Sequence, residues 1–233
     1  MLELDTSGPG RTVSRRDRTE IAQQIYELRK KVPCPVSPQD AFRLGVGSRA
    51  SLKEMQRRAD QGIGGVPHER LRVCWMATGP YGQEMFDLLT EKGVSIPWFH
   101  YGGAPSLFGV LPYDERFDET QYNKKLTPLE RVAKIAHFSM WAQQGDYWIN
   151  PLIKGCRELK IDAVVDFLQP GCVVTKGLRQ IISDRVKAEL GIPVLNLEGR
   201  QQFNTAAGRA EMRRTLEEFI NFSIENKEAK KAP

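Results

Sequence analysis

Residues 161–172, IDAVVDFLQPGC, constrain the fold more than any other stretch: a largely apolar run of strand length leads straight into a Gln-Pro-Gly turn that presents a cysteine. Such a run marks a strand covered on both faces, as in a parallel sheet flanked by helices. Residues 71–77 (LRVCWMA) are of the same kind, and Thr78-Gly79-Pro80-Tyr81-Gly82 follows them as a second turn. Two further strands are expected at 94–100 and 194–198. Helical spacing separates them, with Met85, Phe86, Leu88 and Leu89 in one helix and residues 128–144, 147–159 and 174–190 in others. Strands alternating with helices predict an α/β doubly wound sheet. Right-handed crossovers leave few orders, of which the flavodoxin-like 2-1-3-4 is the simplest.

In that order the strands at 71–77 and 161–168 are neighbours, and the helices that follow them go to opposite faces. A crevice then opens at their carboxyl ends, where doubly wound sheets bind ligands. Thr78, Gly79, Pro80, Tyr81 and Gly82 are expected to line one side, and Gln169, Pro170, Gly171 and Cys172 the other.

Ahead of the sheet the pattern is helical. Asp17 is placed to cap a helix carrying Ile21, Ile25 and Leu28, and Val32-Pro33-Cys34-Pro35 stops it. Ser37-Pro38-Gln39-Asp40 reads as a new helix start, and 52–59 as a third helix. The expected organisation is a mobile N-terminus (1–16), a helical annex and linker (17–67), a flavodoxin-like α/β domain (68–226) and a solvated tail (227–233). Residues 101–126, rich in Gly and Pro, form a connection long enough to cover a site or meet a partner. The last helix is expected at 205–225.

Composition excludes several classes. No apolar run is long enough to span a bilayer and the N-terminus lacks a signal-peptide core, so a cytoplasmic protein is expected. The net charge of +5 comes from clusters at 11–18, Arg57 and Arg58, and the Lys-rich tail, but no aromatic interleaving supports nucleic-acid binding. The four cysteines, Cys34, Cys74, Cys156 and Cys172, contain no CxxC pair, which argues against a self-contained zinc or ferredoxin-type site. Cys74 and Cys156 read as core, and Cys34 between prolines as exposed. His68, His100 and His137 show no metal spacing, and His100, at a strand end, reads as solvated.

The small residues of the 78–82 turn let backbone N–H groups approach an anion or a cluster sulfur; a tight turn using glycine's dihedral freedom is the other reading. Cys172 precedes a helix, whose N-terminus favours the thiolate that ligates iron or attacks a substrate. A buried structural thiol is the alternative. Catalytic residues cannot be named from the pattern.

Several stretches together resemble the 2-hydroxyacyl-CoA dehydratase and benzoyl-CoA reductase family: QIYELRKKVPCPVSPQD at 24–40, the strand and Thr-Gly-Pro turn within 72–93, IDAVVDFLQPGC, ELGIPVLNLEG, and RRTLEEFINF. The resemblance implies a subunit of an iron–sulfur complex that passes single electrons to an acyl-CoA thioester. It also implies a partner subunit of the same family and an ATP-dependent activator protein. The family's C-terminal cluster cysteine maps onto Cys172, so a 4Fe-4S cluster shared with another domain or chain is expected. The family's other cluster cysteines lie in an N-terminal domain, after which this chain is expected to begin. Val173 and Arg200 depart from the family's usual basic and acidic residues. A non-catalytic, flavodoxin-like scaffold paralogue, and a small-molecule binding domain, are the alternative functions.

Overall fold

The structure, a computed structural model, describes residues 15–43, 49–77, 79, 82–100, 126–130, 133, 145–171, 173–199 and 205–230. Three helices come first: α1 (Arg15–Arg29), α2 (Pro38–Arg43) and α3 (Arg49–Asp60). The sheet domain then runs β1 (Leu71–Ala77), α4 (Gln83–Glu91), β2 (Val94–His100), α5 (Asp146–Glu158), β3 (Ala163–Leu168), α6 (Val173–Leu190), β4 (Val194–Glu198) and α7 (Ala206–Ala229). All strand pairs are parallel and the order is β2-β1-β3-β4, the expected doubly wound topology. No described helix is long and apolar enough to cross a membrane.

The apolar runs become strands because they can be covered on both sides: every residue of β1, β2 and β3 is buried. One face packs Val73, Trp75, Val165 and Phe167 against α1, α3, α4 and α7. The other packs Cys74, Trp98 and Val164 against α5 and α6. The helices that follow β1 and β3 therefore do lie on opposite faces. On the second face Gly155 lets α5 settle directly onto the indole of Trp98, since a Cβ at that position would overlap the ring.

Helix boundaries follow local chemistry. Ser37 Oγ accepts from the Asp40 N–H at 3.1 Å and Pro38 takes the first helical position, so α2 starts where the sequence places it. Asp17, by contrast, lies inside α1 rather than at its cap, because the helix already runs from Arg15. Thr205 caps α7 by accepting from Gly208 N–H at 3.1 Å. That helix continues past the expected end at 225 to Ala229, and Lys227 within the extension donates to the carbonyl of Arg70 and to Asp162. Lys227 is the first residue of the expected solvated tail, of which residues 228–230 are exposed. Most of the expected connection at 101–126 and most of the expected helix at 128–144 lie outside the described residues.

Arg72 joins annex to sheet. It is 2% exposed, and its guanidinium donates to the carbonyls of Leu159, Lys31 and Arg29 and to Glu69, all within 3.0 Å. Three of these partners are carbonyls at or just beyond the ends of α1 and α5, groups that helix termini leave without internal donors. Glu69 in turn accepts from Cys34 N–H at 2.8 Å. Arg72→Met strands the buried Glu69 charge and is expected to cost about 3–5 kcal/mol in chemical denaturation, a loss partly recovered when Glu69→Gln is added.

Candidate functional site

The expected crevice falls at the carboxyl ends of the two neighbouring central strands. Ala77, the last residue of β1, is in register with Phe167 of β3. The chain leaves both strands through left-handed backbone: φ is 65° at Ala77, 85° at Gly79 and 91° at Gly82 on one side, and 91° at Gly171 on the other. Only glycine adopts such angles without strain, so Ala77 is the informative residue, a non-glycine held there by its surroundings. Gly79 is buried, while Gly82, Pro170 and Gly171 are exposed and Gln169 is half-buried. Among the expected lining residues, Thr78, Pro80, Tyr81 and Cys172 lie outside the described residues.

Just below this mouth one row of residues across the sheet carries three polar side chains, with Met76 between the first and second. Register sets His100 beside Met76, Met76 beside Asp166, and Asp166 beside Asn196. In-register residues of parallel strands share a face, here the one covered by α5 and α6. Asp166 is 3% exposed, and burial pushes its carboxyl up to about 6 against the opposing influence of Arg179 on α6. Arg179 Nε stands 3.8 Å from Asp166 Oδ2, while Nη1 donates to Glu198 Oε1 at 3.0 Å. Asn196 reaches Ser183 of α6 at 3.5 Å. His100 is buried, contrary to its expected solvation, and meets Trp98 edge to face with centroids 5.0 Å apart. The row thus holds a carboxyl able to gain or lose a proton near neutral pH.

Pattern reading missed Asp166. The available signal was a charged residue in the middle of a strand predicted to be covered on both sides, which demands a partner or a purpose.

The described cysteines lie away from the mouth. Cys34 is fully buried rather than exposed; burial raises its thiol, with Arg72 opposing. Cys74 and Cys156 hydrogen-bond to each other in the core beneath α5, and burial first, then this neighbour, push Cys74 well above the usual thiol range. None has the exposed, electropositive setting of a reactive thiolate. Among the described residues no three His, Cys, Asp or Glu side chains gather as a metal site.

The raised carboxyl has a consequence for stability. Asp166 keeps its proton in the folded state up to about 6 but loses it near 3.8 when unfolded, so its contribution to stability is greatest below the lower value and falls as pH rises through that window. The fall is about 3 kcal/mol from the difference between the two values. Denaturation at a series of pH values checks this by difference: the stability of the wild type relative to Asp166→Asn is expected to fall as pH rises across that window.

Among curated proteins, none matches the sequence. The family model for the 2-hydroxyglutaryl-CoA dehydratase D-component, in contrast, matches residues 13–222, from the annex through most of the last helix. With all four strands and the helices that precede them inside that match, the chain belongs to the 2-hydroxyglutaryl-CoA dehydratase D-component family.

Proposed function

We propose that this dehydratase-type subunit works within an iron–sulfur complex acting on an acyl-CoA thioester, and that Cys172 is its contribution to a 4Fe-4S cluster completed by another chain. The observation that carries this reading is the family match across residues 13–222. Its place in the sequence supports it, directly after the exposed Gly171 and directly before Val173, the first residue of α6.

The cluster fits the described residues poorly. Cys34, Cys74 and Cys156 are packed into the cores, and no other ligand set gathers among the described residues. A cubane needs four ligands, so this reading assigns the remaining ones to a partner subunit of the same family. A bound cluster would supply single-electron chemistry, for which the resemblance implies an ATP-dependent activator protein as the electron source. The turns at Gly79–Gly82 and Gln169–Gly171 then act as the walls of the crevice, and Asp166 beneath them holds a proton that moves near neutral pH.

Anaerobic purification of the chain with its bound partner tests the reading. The complex is expected to be brown and to contain iron and acid-labile sulfide, and Cys172→Ser is expected to lower the iron content at least severalfold while the partner still co-purifies. A colourless wild-type complex, or unchanged iron in the variant, would overturn the assignment and favour the scaffold paralogue.

A further inference from the structure

One guanidinium at the site is unfinished. Arg179, on the second turn of α6, spends Nη1 on Glu198, while its Nε and Nη2 are buried without a hydrogen-bond partner among the described residues. Those two nitrogens form the side of the planar fork that matches both oxygens of a carboxylate. Asp166 Oδ2 is 3.8 Å from Nε, about 1 Å beyond a charge-assisted hydrogen bond. One cation therefore stands between a carboxyl in the sheet interior, 4% exposed in its side chain, and a carboxylate on the edge strand that is 55% exposed.

We propose that Arg179 is a two-position latch: it holds Glu198 of β4 while Asp166 is protonated, and closes its free fork onto Asp166 when that carboxyl ionises, so that α6 is tied to the central strand β3 instead of the edge strand β4. The two carboxylates have unequal claims on the cation. A buried carboxylate without a partner is costly, whereas Glu198 is solvated and gives up a surface ion pair of small worth. The groups around Asp166 leave the choice to Arg179. They are Cys74 from β1, His100 from β2, Cys156 from α5, Ser183 from α6, and Asn196 and Glu198 from β4. Arg179 is the one permanent cation among these described residues. The closing distance is short enough for a rotamer adjustment of the long side chain, with no backbone rearrangement. Because α6 begins at Val173, directly after the β3 turn, the latch decides which strand anchors the helix on that wall of the crevice.

The latch is independent of any cluster and is tested on the full chain. The Arg179 Nε–H resonance and the Asp166 carboxyl resonance are followed by NMR from pH ~4.5 to ~8, bracketing the carboxyl's shifted range. Both are expected to move with a single midpoint. Glu198→Gln, a surface substitution, frees the guanidinium and is expected to raise the carboxyl's acidity about tenfold, one unit in midpoint. Arg179→Lys, which keeps the charge but loses the fork, is expected to uncouple the two signals. An Arg179 resonance that stays flat while Asp166 titrates, or a midpoint unmoved by Glu198→Gln, overturns the latch.

Discussion

The molecule depends on one buried cation. Arg72 begins its life as the second residue of β1, yet its side chain never joins the sheet's apolar faces; it collects carbonyls from the far ends of two helices and a carboxylate from the approach to its own strand. A guanidinium can do this because it carries several donors in a fixed plane and stays charged when desolvated, as an ammonium would not. The annex is thereby fastened to the sheet through polar groups that would otherwise be orphaned, and the apolar packing of α1 and α3 over the first face follows from that seat. The order matters for function, since the annex closes one face of the two strands whose ends make the crevice.

Much of the architecture was legible because it is written locally. Four apolar segments of strand length, separated by helical spacing, admit few arrangements, and the chirality of parallel crossovers selects among them. From the order alone the neighbouring of β1 and β3 follows, and with it the crevice. What could not be read were the properties that arise when distant segments meet. Cys34, between prolines, has every local mark of exposure, but the loop at Gly64–Val66 and the Glu69 carboxylate close over it. His100 is buried because helices from far along the chain cover the face it shares with Trp98. Lys227 is held because Asp162, far away in the chain, awaits it across the base of the sheet. Each is a contact between residues whose sequence separation hides the pairing.

Asp166 belongs to a different category. Its type and position were plain, and a charge in a strand covered on both faces is a contradiction that only a partner resolves. The partner, Arg179, sits thirteen residues on, across a turn and nearly two helical turns, and shares itself with Glu198. Sheets of this kind carry their chemistry at the carboxyl ends of strands. The contradiction therefore falls where function would put it, at the mouth between turns whose backbone is already bent into left-handed conformations. Local rules broken together at one end of a sheet are the mark of a site rather than of poor packing.

Gly155 has a mechanical consequence for the whole crevice. With a bare α-carbon pressed against the indole of Trp98, α5 is keyed to β2 like a tooth in a notch, because any side chain at that point of the helix would overlap the ring. Helix α5 and the strand beneath it must then travel as one rigid body. On the opposite wall α6 is seated differently, through the apolar packing of Ile182 and Val186 together with the ion pairs of Arg179.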